Sequence, residues 1–173
     1  AEVPPKISST IEIHLCNLLR KCVPMISMSM SEHIEKYSDI YYKNAGGRYW
    51  RLIKSFPTYY YDSKTKNTST STEKVLSIDD KIMKAIVSLM SSSTFYWYWR
   101  CVSNCRHLTD REISHFRVPD KIYSECKLFG LCDEYELSLK SNKHRVQSGT
   151  KEYDEYCIKK SKPIIDEIDK VLA

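Results

Sequence analysis

The residues best suited to chemistry lie close together in one stretch of the chain. Cys101, Cys105 and His107 are possible zinc ligands, but the spacing Cys-x-x-x-Cys-x-His lacks a convincing fourth ligand. A nucleophilic pair of Cys105 with His115 is compatible with the sequence, although no evident group would stabilise an oxyanion beside it. Glycine-rich phosphate loops and Cys-x-x-Cys pairs do not occur. The chain alone is therefore not expected to be an enzyme.

Basic side chains interleaved with aromatic ones form a second group of candidates. Gly46 and Gly47 separate two runs rich in tyrosine, tryptophan and isoleucine. Glycine tolerates the positive φ angles of tight turns, so residues 40–53 are predicted to form a β-hairpin with this pair in its turn. The cations around the turn are Lys43, Arg48, Arg51 and Lys54. Such a hairpin suits phosphate contact with stacking or groove insertion, and an ordinary solvated hairpin fits equally well.

The element expected to position these residues is the aromatic run from Phe95 to Trp99, which follows a run of serines. Five consecutive aromatic rings have a large apolar area to bury, so this run is predicted to form the central buried element. The polar residues 104–111, here called the 104–111 segment, would lie where that element reaches the surface. An aromatic core helix with no further role is the plainer interpretation of the rings.

The composition limits the classes of protein that the chain can belong to. Its 173 residues fit one domain, and 42% hydrophobic residues indicate a globular fold. A net charge of +5 is compatible with a polyanionic partner without proving one. Seven irregularly spaced cysteines do not form a disulfide framework, which favours a reducing cytoplasm. No membrane-spanning run or signal peptide is evident.

The pattern along the chain predicts a mixture of helices and short strands, and therefore the α+β class. Ser9 and Glu12 have capping-box spacing at a helix start, and Asp79 or Asp80 is expected to cap a second helix. Further helices are predicted over residues 128–139 and 161–172, the latter with Pro163 in its first turn. Extended chain is expected at residues 75–78 and before Pro119, and polar loops at residues 62–72 and 141–150.

Three stretches of the sequence together resemble a known family. They are Gly46-Gly47-Arg48-Tyr49-Trp50; residues 91–100 (SSSTFYWYWR) with 106–113 (RHLTDREI) and 116–119 (FRVP); and residues 161–173 (SKPIIDEIDKVLA). In this order they resemble the C-terminal target-recognition region of bacterial adenine-specific DNA methyltransferases from restriction–modification systems, the TaqI-like specificity group. They cover about a quarter of the chain. Asn104-Cys105-Arg106 stands where Asp-Gly-Arg is common in the family, and Ser91 precedes Ser92-Ser93 where Asn-Ser-Ser is usual.

The resemblance implies a recognition domain over residues 1–160 and the start of a C-terminal helix at residues 161–173. The fold would be that of a methyltransferase target-recognition domain. The chain starts without methionine and stops inside a helical pattern, so we expect it to be a piece of a larger protein. S-adenosylmethionine and the motif that grips the flipped adenine would belong to a catalytic domain upstream in the same polypeptide. No cofactor, metal or catalytic residue is therefore assigned to this chain.

The partner implied by the resemblance is double-stranded DNA. Arg48 and Arg106 are candidates for bidentate contacts to guanine, and the lysines with Arg111 for phosphate contacts. Arg106 is also a candidate for a structural pair with Asp110. A protein-interaction module with a tyrosine-rich surface is the alternative function. The candidate DNA-binding residues are Lys43, Gly46, Gly47, Arg48, Tyr49, Lys54, Lys64, Lys66, Arg106, His107 and Arg111.

Overall fold

The computed structural model describes residues 6, 9–25, 34–45 and 51–172. In this part of the chain the helices are α1 (Thr10–Arg20), α2 (Met83–Ser91), α3 (Ser93–Val102), α4 (Asp110–His115), α5 (Cys126–Ser141) and α6 (Lys162–Leu172), with 3₁₀ helices at Asp120–Ser124 and Ile158–Ser161. The strands are β1 (Val23–Pro24), β2 (Tyr37–Lys43), β3 (Ile53–Lys54), β4 (Tyr60–Asp62), β5 (Glu73–Asp79), β6 (Arg117–Val118), β7 (Lys143–Ser148) and β8 (Lys151–Tyr156). The predicted α+β class is confirmed.

The strands form small antiparallel sheets. Strand β2 lies between β3 and β5, strand β8 lies between β4 and β7, and β1 pairs with β6. Tyr41 of β2 is opposite Lys54, and Tyr42 is opposite Ile53, so the two arms of the predicted hairpin pair as expected. The predicted turn at Gly46 and Gly47 lies outside the described residues. The extended residues predicted at 75–78 and before Pro119 belong to β5 and β6.

Helix α2 is the central element of the core, because every residue from Ala85 to Ser91 is buried. The prediction that the aromatic run would be central is wrong in this respect. In α3 only Phe95, Trp99 and Cys101 are buried, while the intervening rings are half-buried. A helix that presents five consecutive rings turns them to all sides, so a helix on the edge of the core buries only some of them. Ser92 separates the helices and caps α3 by accepting a hydrogen bond from Phe95 N at 3.0 Å.

Two predicted helix starts have different outcomes. At α1 the capping box is confirmed: Ser9 Oγ accepts from Glu12 N at 3.2 Å, and Ser9 N donates to Glu12 Oε2 at 3.0 Å. The predicted cap of α2 is wrong, because that helix begins only at Met83. Asp80 instead forms an ion pair with Lys36 at 3.3 Å and accepts the Ser38 hydroxyl. The carboxylate therefore fastens the end of β5 to the start of β2.

The loop predicted over residues 141–150 is also wrong, because most of it forms β7 and turns into β8 at Gly149 and Thr150. Gly149 has φ +61°, which glycine adopts without steric cost. Strand β7 lacks alternating apolar residues, and charged side chains connect it to β8 instead. Arg145 Nε donates to Asp154 Oδ1 at 2.6 Å, and Lys143 Nζ lies 2.8 Å from Asp154 Oδ2. The β7–β8 hairpin therefore cannot be predicted from apolar residues at every second position.

The two C-terminal helices agree with the sequence. In α5 the predicted residues Leu128, Leu131, Cys132, Tyr135 and Leu139 are all buried. In α6 Ile165 and Ile168 lie in the same hydrophobic core as α2, α3 and α5, so this helix packs directly on the preceding residues. None of the helices in the described ranges is both long and apolar enough to span a bilayer.

Candidate nucleic-acid interface

The 104–111 segment leaves the end of α3 as a tight turn. Asn104 Oδ1 accepts hydrogen bonds from the backbone N–H groups of Arg106 at 2.9 Å and His107 at 3.3 Å. Ser103 Oγ accepts from Cys105 N at 3.0 Å. Cys105 has φ +60°, a left-handed conformation that favours glycine and costs other residues about 1–2 kcal/mol. The turn therefore holds a strained residue in place through short-range side-chain hydrogen bonds.

Neighbouring elements fix the backbone of the same segment from outside. Arg51 Nη2 donates to the carbonyl oxygen of Arg106 at 2.8 Å, and Trp99 Nε1 donates to that of His107 at 3.1 Å. The N–H of Leu108 donates to the carbonyl oxygen of Asn44, just after β2, at 2.8 Å. Because these bonds use backbone atoms of Arg106, His107 and Leu108, they leave the side chains of Arg106 and His107 exposed.

Arg51 and Trp99 support each other beneath the segment. The Arg51 guanidinium lies 5.2 Å from the centre of a Trp99 ring, within cation–π distance, and both residues are buried. Burial lowers the pKa of Arg51, but an arginine remains charged at neutral pH. A buried cation is thus held between an aromatic face and a backbone carbonyl.

Tyr42 forms a further connection between β2 and this region. Its hydroxyl donates to Asp110 Oδ1, in the first turn of α4, at 2.7 Å. Burial is the main cause, and the hydrogen bond to Asp110 a second cause, of a pKa of Tyr42 well above its usual value. The hydroxyl therefore stays protonated. Asp110 was considered as a partner of Arg106; its contact in the structure is the Tyr42 hydroxyl.

Several of the predicted residues come together here. Arg106, His107 and Arg111 have exposed side chains on the anchored segment, and Lys43 is exposed at the end of β2, next to Asn44. Strand β2 and the 104–111 segment, which the sequence analysis treated as separate candidates, are thus joined by hydrogen bonds. The other predicted hairpin residues, Gly46, Gly47, Arg48 and Tyr49, lie outside the described residues.

Lys54 is not a surface residue, which corrects its expected contact with phosphate. It is fully buried, with Nζ 2.9 Å from Glu73 Oε1 and 2.7 Å from the carbonyl oxygen of Phe56. The rings of Tyr41, Phe56 and Tyr156 surround the ammonium with centroids 5.2–5.7 Å away. Burial lowers the pKa of Lys54, and the Glu73 carboxylate opposes that shift. An ammonium in this position cannot reach a DNA phosphate.

Lys64 and Lys66 are exposed, but they lie on a different part of the fold. Both belong to the turn after β4, which contacts the β7–β8 turn through a hydrogen bond from Ser63 N to the carbonyl oxygen of Thr150 at 2.8 Å. The basic candidates of the described chain therefore lie on two elements, the 104–111 segment with the end of β2 and the turn after β4.

The thiol and imidazole candidates do not assemble into a site. Cys105 Sγ donates to the carbonyl oxygen of Arg100 at 3.7 Å, whereas His115 Nδ1 lies 2.8 Å from that of Arg111. Among the residues that the structure describes, no three His, Cys, Asp or Glu side chains are placed to hold a metal ion.

From the sequence, Arg51 is only one of several cations near a predicted turn, and nothing in the sequence indicates its hydrogen bond to Arg106. The residues are 55 positions apart, and a bond from a side chain to a distant carbonyl leaves no spacing signal. Comparisons with known proteins add no further assignment: no family model matches the chain, and neither a curated protein nor a solved structure matches it.

Proposed function

We propose that the chain is a target-recognition domain that binds double-stranded DNA as part of an adenine-specific DNA methyltransferase of a restriction–modification system. The observation that carries the proposal is the backbone geometry at Asn104-Cys105-Arg106. The methyltransferase family that the sequence resembles commonly has Asp-Gly-Arg there. Cys105 adopts the positive φ that a glycine would favour, and Asn104 provides the side-chain oxygen acceptor that an aspartate would provide.

A recognition segment must present side chains to base edges from a backbone that does not move when DNA binds. Loops ordered only on binding lose affinity to conformational entropy, whereas preorganised ones retain it. The 104–111 segment meets this requirement, because Arg51, Trp99 and Asn44 hold its backbone while Arg106 and His107 remain exposed. Arg106 is the best-placed described residue for a bidentate contact to guanine in the major groove.

The proposal divides the work between domains. Arg111, exposed at the end of the segment, and Lys43, exposed at the end of β2, would contact phosphates and set the register on the duplex. Methyl transfer from S-adenosylmethionine would belong to a separate catalytic domain, and no residue of this chain is assigned a part in it. The domain would therefore supply sequence specificity to chemistry performed elsewhere.

The proposal is tested by measuring the binding of the chain to random-sequence duplex DNA. Fluorescence anisotropy reports the affinity at salt concentrations from about 50 to 200 mM. Each phosphate contact contributes about −0.9 to the slope of log K against log salt, so a steep salt dependence is expected. Complete absence of binding at low salt would refute DNA recognition by this chain and favour the alternative, a protein-interaction module.

Selection from a duplex pool with a randomised core then tests base reading. Arg106→Ala should weaken binding to the selected sequence by about 1–3 kcal/mol and relax the preference at one position. Lys121→Ala is the matched control, because Lys121 is an exposed cation of the 3₁₀ helix Asp120–Ser124, outside the 104–111 segment. Equal effects of the two substitutions would show that Arg106 contributes only charge.

Two substitutions at Cys105 test the turn geometry itself. Glycine should preserve DNA binding, since it accepts the φ of +60° without steric cost. Valine should weaken binding at least tenfold, because a β-branched residue is strongly disfavoured in this conformation. If both variants bind as the unaltered chain does, the backbone at Cys105 is not part of the interface.

A further inference from the structure

Two turns lie side by side at one end of the sheet formed by β4, β8 and β7. Residues 62–67 and 148–151 are here called the turn pair. Asp62 is opposite Lys151 in the strand register, and both the backbone N–H and the hydroxyl of Ser63 donate to the carbonyl oxygen of Thr150, at 2.8 and 3.2 Å. The lysines on the turn pair are Lys64, Lys66 and Lys151.

The first turn is closed by hydrogen bonds around Asp62. Its buried carboxylate accepts from Lys64 N at 3.0 Å, its carbonyl oxygen accepts from Lys66 N at 2.7 Å, and its N–H donates to the carbonyl oxygen of Asn67 at 3.0 Å. The lysine side chains of this turn thus extend from a fixed backbone.

Lys66 occupies a position that does not suit a lysine. Its φ is +60°, where glycine, asparagine and aspartate are the favoured residues. Strained backbone residues concentrate at binding sites, where the side chain has a purpose that outweighs the strain. Within the described residues, the hydrogen bond that the Lys66 ammonium donates is a long one, 3.5 Å, to the Tyr61 hydroxyl.

The neighbouring carboxylates of the sheet are already paired. Glu152 lies 2.8 Å from Arg145 Nη1, and Glu155 lies 3.2 Å from His144 Nε2. Asp154 is buried between Lys143 and Arg145. In contrast, Lys64, Lys66 and Lys151 are exposed, and none of them forms an ion pair within the described part of the chain. The turn pair therefore carries three exposed ammonium groups, whereas its own carboxylate, that of Asp62, is buried and accepts a backbone N–H.

We propose that the turn pair is a second contact surface for duplex DNA, at which Lys64, Lys66 and Lys151 meet backbone phosphates while the 104–111 segment reads base edges. This inference rests on the proposed function and adds Lys151 and the β7–β8 turn to it. Phosphate is the ligand because three ammonium groups on fixed, adjacent turns match repeated single charges along a strand, and point charges suffice for contacts that carry no sequence information.

The test compares two triple variants of the full chain in the same anisotropy titration with random duplex DNA. Lys64→Ala/Lys66→Ala/Lys151→Ala should reduce the salt slope by roughly 2.7, about 0.9 for each lost phosphate contact. Lys121→Ala/Lys127→Ala/Lys160→Ala removes the same charge from exposed lysines elsewhere and should leave the slope nearly unchanged. Equal slopes for the two triple variants would overturn the inference and leave DNA binding intact. Failure of the unaltered chain to bind would instead overturn the proposed function, and this inference with it.

Lys66→Gly separates a binding role from a structural one. Glycine relieves the left-handed backbone, so the melting temperature should stay the same or rise, while the salt slope should fall by roughly 0.9. A lower melting temperature with an unchanged slope would show that Lys66 serves the fold, and would contradict its assignment as a phosphate contact.

Discussion

Replacement of Lys54 by methionine tests how much a buried ion pair between the two outer strands of one sheet stabilises the fold. Lys54 is on β3, and its carboxylate partner Glu73 is the first residue of β5. The same ammonium also contacts the ring of Phe56, which precedes β4, and the ring of Tyr156, the last residue of β8. Methionine keeps the length and apolar volume of the side chain but removes the charge. The Glu73 carboxylate would then remain partly buried without its cation.

The magnitude follows from the exposure of the two partners. Removing one member of a buried pair costs about 3–5 kcal/mol. The Glu73 side chain is 16% exposed, and it still accepts a hydrogen bond from Thr58 N at 3.1 Å. The lower limit of the range, about 3 kcal/mol, is therefore expected. For a chain of this size, 1 kcal/mol corresponds to roughly 2–4 °C, so the melting temperature should fall by about 6–12 °C.

Urea denaturation and thermal melting provide the assay, with two controls. Lys43→Met removes an exposed cation from the adjacent strand and should change stability by less than about 0.5 kcal/mol. Lys54→Met combined with Glu73→Gln leaves no unpaired charge and should recover at least about 1 kcal/mol of the loss. A loss below about 1 kcal/mol for Lys54→Met alone would refute the reasoning. If Lys54→Met instead reduced the salt slope of DNA binding without loss of stability, Lys54 would be a phosphate-binding residue after all.

Two further predictions follow from buried groups. Arg51→Lys should weaken binding to a selected DNA sequence about tenfold, because a lysine lacks the planar guanidinium that contacts both Trp99 and the Arg106 carbonyl oxygen. The salt slope of binding should not change, because the buried charge of residue 51 contacts no phosphate. A changed slope would contradict this prediction. Burial raises the pKa of the Cys132 thiol to about 12 from a usual value of 9.0. The folded chain thus keeps a proton that the unfolded chain releases, and stability from this group is lost as pH rises from 9 towards 12. When the pH is raised from about 8 to about 10.5, the free energy of unfolding of Cys132→Ala, measured by urea titration, should fall by roughly 2 kcal/mol less than that of the unaltered chain. Equal decreases would show that ionisation of this thiol does not cause the loss of stability at high pH.

The sequence predicted elements well where an apolar period or a local cap defines them. The buried residues of α5 and the box at Ser9 are examples, because both signals lie within a few turns of one helix. It failed where tertiary contacts decide. Asp80 has the chemistry of a helix cap but pairs with β2, and β7 is held by charge pairs rather than by apolar alternation. Lys54 appears in the sequence as one more cation near a turn, and its burial depends on rings up to 102 residues away.

The candidate interface shows the same division. The exposed cations of the 104–111 segment were identifiable from residue type, since a polar, basic stretch after an apolar helix tends to reach the surface. The anchoring of the segment could not be predicted from the sequence. Arg51, Trp99 and Asn44 form hydrogen bonds to its backbone atoms, and such bonds require no particular residue type at the positions they contact. This arrangement has a consequence for specificity. Since Arg51, Trp99 and Asn44 bind backbone atoms, and the side chains of Arg106 and His107 are exposed, those two side chains can be exchanged without disturbing the fold. Under the proposed function, the same anchored turn would then present different groups to different DNA sequences, provided that position 105 keeps a residue able to adopt a positive φ.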